Sequence, residues 1–393
     1  SAQTILDRER PRQSAPLNMT SARTFAEKLL KKADVIIGGT RPWDITIHDE
    51  RLYNRVIRYG TLGMGEAYMD GWWDANALDA FVYKVLTAHL DKAIQNNFAA
   101  IFTLVKAYIL NLQSGKRAFK VGEHHYDLGN GLYEAMLDKR MVYTCGYWSS
   151  PSSKAKTLDE AQEAKLDLVC RKIGLKKGDR VLDIGCGWGS FAKYAAETYG
   201  VSVVGITVSK EQAILARERC KGLSVEIRVQ DYRDVDETFD HIVSLGMFEH
   251  VGVKNYRKYF EVANRCLKKN GLFLLHTIGN TVSAVAGELW IEKYIFPNCM
   301  LPSVAQIGRS TEELFVMEDW HNFGADYDKT LMAWFKNFNA AWPSLRDTYG
   351  DRFYRMWKYY LLSCAGAFRA RDTQLWQIVL SKDGAPGGYQ SVR

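Results

Sequence analysis

The sequence predicts an α/β protein in which a doubly wound, mostly parallel sheet follows a smaller, mainly helical N-terminal domain. Three observations carry that expectation. From about residue 157, short apolar strands alternate with helical segments, the pattern of strands that feed crossover helices onto both faces of a sheet. The first of those strands ends in a glycine-rich turn, "VLDIGCGWGS". The first 120 residues instead read as mainly helical and include the aromatic, glycine-punctuated "YGTLGMGEAYMDGWWD".

At 393 residues the chain exceeds a comfortable single core and suits two domains. Apolar residues at 47% and charged residues at 25% describe an ordinary globular protein. No segment approaches the roughly 18 uninterrupted apolar residues of a membrane-spanning helix. The start, "SAQTILDRERPRQ", lacks the apolar core of a signal peptide, so a cytosolic location is expected. Seven scattered cysteines never form a C-x-x-C, which indicates neither a disulfide framework nor a metal site. The net charge of +7 is unevenly placed, residues 1–120 holding 17 Lys+Arg against 12 Asp+Glu. Such a region meets an anionic surface, nucleic acid or phospholipid, or is simply a solvated face.

In chain order, residues 1–20, with two prolines and no apolar periodicity, read as a mobile N-terminus. Residues 21–120 read as the helical domain, beginning "SARTFAEKLLKKA". Within it "FAAIFTLVKAYILNL", Phe98 to Leu112, is apolar around most of its circumference and is followed by the basic "QSGKRAFK". It is either a buried helix or one lying in a membrane interface. Residues 121–380 form the larger domain. There Thr157 and Glu160 have the spacing of a capping box at a helix start. Strands follow at "RVLDIG" (180–185), "VSVVGIT", "VEIRVQ", "HIVSLG" and "LFLLHTIG", separated by helices to about Tyr199, from Lys210 to Cys220 and through "YRKYFEVANRCL". The end, residues 381–393, reads as a mobile tail.

The glycine turn marks a cofactor site. Asp183 closes the first strand, and Gly185, Gly187 and Gly189 let the backbone approach a ligand at its carboxyl end, where open α/β sheets bind ligands. The candidates are a dinucleotide and S-adenosylmethionine. A dinucleotide turn would have glycine or alanine where Ser190 stands, and an acid about 20 residues on, where the chain reads "VVGIT". The pattern D-x-G-x-G-x-G matches the methyltransferase type of loop instead. Asp231, closing the third strand, is placed for the adenine side or for a turn cap.

Taken together, "HHYDLGN", "YTCGYW", "VLDIGCGWGS", "GITVSKEQ", "QDYRD", "GMFEHVG", "LLHTIG", "NFGADYDKTLMAW" and "CAGAFRARDTQLWQ" resemble the cyclopropane fatty acid synthases. The likeness covers nearly the whole chain, because "LGMGEAYMDGWWD" resembles the N-terminal signature of the bacterial, phospholipid-acting members. It implies the class I S-adenosylmethionine-dependent methyltransferase fold, with residues 121–380 catalytic and 21–120 lipid-binding. It implies methyl transfer from S-adenosylmethionine to a cis double bond of a phospholipid acyl chain, then ring closure with an active-site bicarbonate. By resemblance, that ion is held by Cys145, Glu249, His276, the backbone of Ile278, and Tyr327. The cofactor site includes Tyr143, Thr144, Gly185, Gly187, Thr207, Gln212, Asp231 and Tyr232. Position 144 departs from the family's more frequent serine but keeps the hydroxyl. The resemblance further implies an unsaturated phospholipid in a bilayer as partner, with no nucleic acid. It places a homodimer in the cytoplasm, peripherally on the inner face of the membrane.

The chemistry needs these residue types. An isolated alkene is a poor nucleophile, so alignment with the methyl supplies much of the acceleration. Attack leaves a cation on hydrocarbon, which a dry pocket and aromatic faces such as Tyr143, Tyr147, Trp148, Phe248 and Tyr327 protect from capture by water. Ring closure requires a base that is not itself methylated, and a small oriented oxyanion meets that need. Glu249 would accept from the acid hydroxyl of bicarbonate while His276, the Ile278 amide and Tyr327 donate, and His250 packs behind Glu249. Cys145 reads as a packed or anion-lining thiol rather than a nucleophile. Cys364, among small residues in "SCAGAF", reads as helix packing.

Three other readings compete. A related lipid methyltransferase would stop at a methyl-branched or hydroxylated chain and would lack the anion site. A methyltransferase of small polar amines would need no basic, amphipathic N-terminal domain. A noncatalytic lipid-binding module would not need the complete glycine loop.

Overall fold

The computed structural model describes residues 19–90, 128–148 and 154–393. The apolar segment 98–112, the boundary at residue 120 and most of the expected mobile N-terminus lie outside the described residues. Three helices, α1 (Met19–Lys32), α2 (Arg51–Met69) and α3 (Leu78–Thr87), surround a short antiparallel pair, β1 (Ile45–Ile47) and β2 (Trp73–Ala75). Their shared core is built on Tyr68, Trp73, Leu78 and Phe81. Helix α2 bends at Gly60, whose φ of 57° is a conformation that residues with a Cβ rarely adopt.

After α4 (Gly129–Met136), α5 (Leu158–Lys172) starts at the capping box. The Glu160 amide donates to Thr157 Oγ1 at 3.2 Å, and the Thr157 amide to Glu160 Oε2 at 3.3 Å. Then come β3 (Arg180–Ile184), α6 (Ser190–Tyr199), β4 (Ser202–Thr207), α7 (Lys210–Arg219), β5 (Val225–Val229), β6 (His241–Leu245), α8 (Tyr256–Cys266) and β7 (Leu272–Asn280). Short helices α9 (Leu289–Tyr294) and α10 (Val304–Thr311) precede β8 (Val316–Asn322). Two long helices, α11 (Ala325–Tyr349) and α12 (Asp351–Arg369), lead to β9 (Thr373–Ser381).

The strands form one sheet in the order β5-β4-β3-β6-β7-β9-β8, parallel from β5 to β7 and antiparallel where β9 inserts between β7 and β8. The five predicted strands are present, and β8 and β9 are additions to the reading. β8, "VMEDWHN", lacks an apolar run because it is an edge strand, and its inward Asp319 is paired with Arg393. Successive strands are added on one side from β3 to β5 and on the other from β6 onward, so the switch point that accommodates ligands falls at the carboxyl ends of β3 and β6.

The segment 381–393, expected as a mobile tail, is tied down. Ser381 Oγ and the Ala385 amide both donate to Glu318 Oε1 at 2.6 Å, Tyr389 donates to the Lys172 carbonyl, and Arg393 pairs with Asp319. These partners lie on β8 and α5, far away in sequence, so the glycine-rich composition did not announce them.

The N-terminal helices dock on α9 and α12. Glu66 accepts from Lys293 Nζ, Tyr294 and Arg55, while Arg355 donates to the carbonyls of Tyr68 and Trp73. Arg369 bridges Asp79 and Asp328. The approach is close, since a Cβ on Gly65 would lie 2.4 Å from the Trp290 ring.

Candidate active site

The glycine turn connects β3 to α6. Gly185 has φ of 81°, and a Cβ there would lie 2.6 Å from Met247 Cβ, so the turn is pressed against the end of β6. Gly187, with φ of 53°, meets nothing within 4 Å of a built Cβ, leaving bare backbone facing open space. Gly189, also in the left-handed region, caps α6. Ser190, the residue that breaks the dinucleotide pattern, donates to the carbonyls of Arg140 (2.6 Å) and Met141 (3.1 Å). That bond ties the turn to the segment carrying Tyr143, Thr144 and Cys145.

Beneath the turn Asp183 is buried, its Oδ2 has no hydrogen-bond partner, and burial pushes its pKa up to about 7 against the opposing pull of Lys165. At the end of β4, Thr207 donates to Gln212 Oε1 at 3.1 Å and accepts the Ser209 amide. Asp231 accepts from the Arg233 amide and guanidinium, both of its carboxylate oxygens being engaged. Tyr232 is buried against Tyr259.

The second half of the site comes from β6, β7 and α11. The 3-10 turn Phe248–His250 follows β6, and Glu249 on it is buried. Its Oε1 accepts from the Ile278 amide at 2.7 Å, while Oε2 has no partner. Burial pushes its pKa up to about 7, opposed by the bond from Ile278. Two residues back along β7, His276 is 1% exposed, and its Nε2 likewise has no partner. Burial, with Lys165 and Lys172 adding repulsion, holds its pKa well below the ordinary value, so the ring is neutral. Gln377, paired with His276 across β7 and β9, places its Nε2 3.3 Å from His276 Nδ1.

Tyr327, on α11, is buried with its ring stacked on Phe368 at 4.4 Å. Burial first, and then the neighbouring Cys145 and Glu249, hold its pKa well above the ordinary range. Cys145 is fully buried, and its thiol donates to the Gly146 carbonyl. Burial and the Asp326 carboxylate keep it protonated, as expected of a thiol that is not a nucleophile. Tyr143 shares a hydrogen bond with Tyr360 at 2.9 Å and packs against Tyr133, Trp334 and Phe296. Tyr327 thus lies near both Cys145 and Glu249, and Glu249 is bonded to the strand that carries His276.

Two expectations are corrected. The Ile278 amide was expected to donate to a bound ion, but here it is spent on Glu249. His250 was expected behind Glu249, yet it is exposed, with its ring packing on Phe296 at 6.0 Å. The orienting partner of Glu249 is the β7 backbone.

Lys165 was missed. It is fully buried, and its Nζ donates to Thr144 Oγ1 at 2.5 Å; burial pushes its pKa down to about 8. The signal was available: Leu158, Lys165 and Lys172 recur every seven residues along the buried stripe of α5. Gln377 carried no comparable signal.

The residues fit the two groups that the resemblance implies. The bare Gly187 backbone and the unpartnered Asp183 suit an adenosyl ligand at the carboxyl end of β3. The unpartnered Glu249 Oε2 and His276 Nε2, one carboxyl oxygen and one ring nitrogen, suit a small oxyanion that carries a proton.

The sheet order and the glycine turn at the switch point define a class I S-adenosylmethionine-dependent methyltransferase. The family described as mycolic acid cyclopropane synthetase matches residues 113–378, and this chain belongs to it. The cyclopropane-fatty-acyl-phospholipid synthase of Escherichia coli (strain K12) is 54% identical over 94% of this chain and 95% of its own length. The cyclopropane synthase MmaA2 from Mycobacterium tuberculosis has the same fold, with a TM-score of 0.61 at 29% identity over 67% of this chain and 98% of its own. The mycolic acid cyclopropane synthase CmaA1, solved with SAH and CTAB, gives 0.60 at 31% identity, covering 67% of this chain and 98% of its own.

Proposed function

We propose that this enzyme is a cyclopropane-fatty-acyl-phospholipid synthase, converting a cis double bond of a phospholipid acyl chain into a cyclopropane ring. The observation that carries the reading is the pair of buried, unpartnered atoms Glu249 Oε2 and His276 Nε2 beside the glycine turn. S-adenosylmethionine, when bound, supplies an electrophilic methyl group, and bicarbonate, when bound, supplies a basic oxygen.

The chain's own residues do the rest. Gly185, Gly187 and Gly189 expose backbone to the cofactor, with Asp183, Thr207, Gln212, Asp231 and Tyr232 around it and Tyr143 and Thr144 closing the opposite side. Glu249, Cys145, His276 and Tyr327 hold and orient the anion. His276 is neutral, so a proton on Nε2 is donated without placing a second cation beside the reacting carbon. Cys145 stays a thiol and does not compete for the methyl group. Tyr143, Trp334, Phe296 and Tyr360 present ring faces that exclude water and steady positive charge on hydrocarbon.

Among the described residues no helix is long and apolar enough to cross a membrane. We place the enzyme peripherally on the cytoplasmic face of the bilayer, as a homodimer. The N-terminal helices present lipid to the site, a reading supported by the basic surplus of residues 1–120.

Mass spectrometry of unsaturated phospholipid vesicles, incubated with enzyme and S-adenosylmethionine, tests this. The expected product has gained one CH₂ and lost its alkene signal. A product that keeps an alkene or carries a hydroxyl would overturn ring closure.

A further inference from the structure

We propose that the uncharged loop 281–286, together with Leu289 and Val304, is the surface by which the catalytic unit enters the headgroup layer of a phospholipid bilayer. The inference rests on the reading of the substrate as a bilayer phospholipid.

The loop, "TVSAVA", turns its large side chains outward. Val282 is 63% exposed, Val285 85%, Leu289 42% and Val304 54%, the first two being among the most exposed large apolar residues described. An outward valine on a slack loop would mean little, but this loop is braced from within. The Asn280 amide donates to the Pro302 carbonyl at 2.8 Å, Ser283 and Ser303 share a hydrogen bond at 2.7 Å, and Gln306 Nε2 donates to the Ala284 carbonyl at 2.7 Å. Ser303 and Gln306 are themselves locked in the capping box of α10. The polar atoms are thus spent inward on α10 while the apolar ones are held out, the reverse of the usual arrangement.

Position and charge select the occupant. The loop leaves β7 at Asn280, two residues beyond Ile278, on the strand that also carries His276. At its other end Glu288 accepts from Thr61 of α2 at 2.6 Å, joining it to the N-terminal helices. The exposed face of α10 runs Val304, Ala305, Gly308 and Arg309, and Arg309 makes no ion pair among the described residues. Arg58, three residues before Thr61, is exposed and has no acidic partner among the described residues; it rests on the Tyr59 ring. An apolar centre flanked by the unpaired guanidinium of Arg309 matches a layer with an apolar depth and an anionic surface. A second copy of this chain would bring the same cations against each other.

The test uses the full chain and vesicles of unsaturated phosphatidylglycerol, with the same lipid dispersed in detergent micelles as control. Val285→Asp is expected to weaken vesicle co-sedimentation about tenfold and to slow methyl transfer on vesicles in proportion. Its rate on micelles should stay within about twofold of the parent, and Val285→Phe should bind vesicles more tightly. Unchanged co-sedimentation of Val285→Asp would overturn the proposal, as would an equal loss of rate on micelles. A change of oligomeric state by light scattering would assign the patch to a contact between copies and also overturn it. If the parent modifies no lipid in either form while Val285→Asp still loses vesicle binding, the substrate reading fails and the docking surface stands.

Discussion

The Ile278 backbone amide donates to Glu249 Oε1 at 2.7 Å, joining the turn after β6 to the neighbouring strand β7. This bond turns the other carboxylate oxygen toward the site and leaves it without a partner. Glu249→Gln keeps an oxygen for the Ile278 amide, so the fold should persist. Ring formation should fall by two orders of magnitude or more, on the order of 10², while S-adenosylmethionine still binds. Product analysis beside calorimetric titration of the cofactor checks both halves.

The same carboxyl imposes a pH signature. Its pKa rises from 4.5 to about 7 through burial, so between those values the folded state holds a proton that the unfolded state has released. Stability contributed at this site therefore falls as pH rises from about 4.5 to 7, then levels off. Glu249→Gln removes that penalty. Thermal unfolding should show the variant more stable than the parent at pH 8 and the gap closing toward pH 4.5, without ligands. A gap independent of pH would contradict burial of the ionisable carboxyl.

Lys165 hangs its buried ammonium on Thr144 Oγ1. Lys165→Met retains length and removes a buried charge, so stability should change by less than about 1 kcal/mol. The Thr144 hydroxyl loses the donor that aims it, and affinity for S-adenosylmethionine should drop about tenfold, equivalent to one charge-assisted hydrogen bond. Paired denaturation and titration measurements separate the two effects.

Gln377 supplies a side-chain hydrogen-bond partner to His276 Nδ1. With Gln377→Leu the ring loses that restraint, and the two neutral tautomers should mix in nitrogen NMR spectra of labelled histidine. The expected loss of cyclopropane formation is about tenfold in kcat with little change in KM, because binding surfaces are untouched.

At the junction with the N-terminal helices, Gly65 leaves room for the Trp290 indole, which is 1% exposed. Gly65→Ala should cost about 2 kcal/mol by overpacking a rigid ring, read from the denaturant midpoint. Gly71→Ala, whose built Cβ meets nothing within 4 Å but whose φ is 76°, should cost about 1 kcal/mol through backbone strain alone.

The strand and helix alternation, the glycine turn and the capping box of α5 were legible because each depends on a few consecutive residues: apolar period, left-handed φ, and a Thr-x-x-Glu spacing. The motifs that carry the family likeness are equally local. Harder to read were β8, whose polar edge hides its strand character, and the C-terminal segment, anchored by Glu318, Asp319 and Lys172. His250 was placed on the wrong side of Glu249 because a 3-10 turn points successive side chains in different directions.

The order of elements and the residue types needed for methyl transfer were therefore set by the sequence alone. Which of those residues meet was decided only by tertiary packing. Glu249 meets the β7 backbone, and Tyr327 lies near Cys145 and Glu249, because sheet order and the return of α11 bring distant segments together. The partner of the Ile278 amide, the burial of Lys165 and the protonation of Glu249 follow the same rule, since desolvation and hydrogen bonding depend on neighbours far away along the chain.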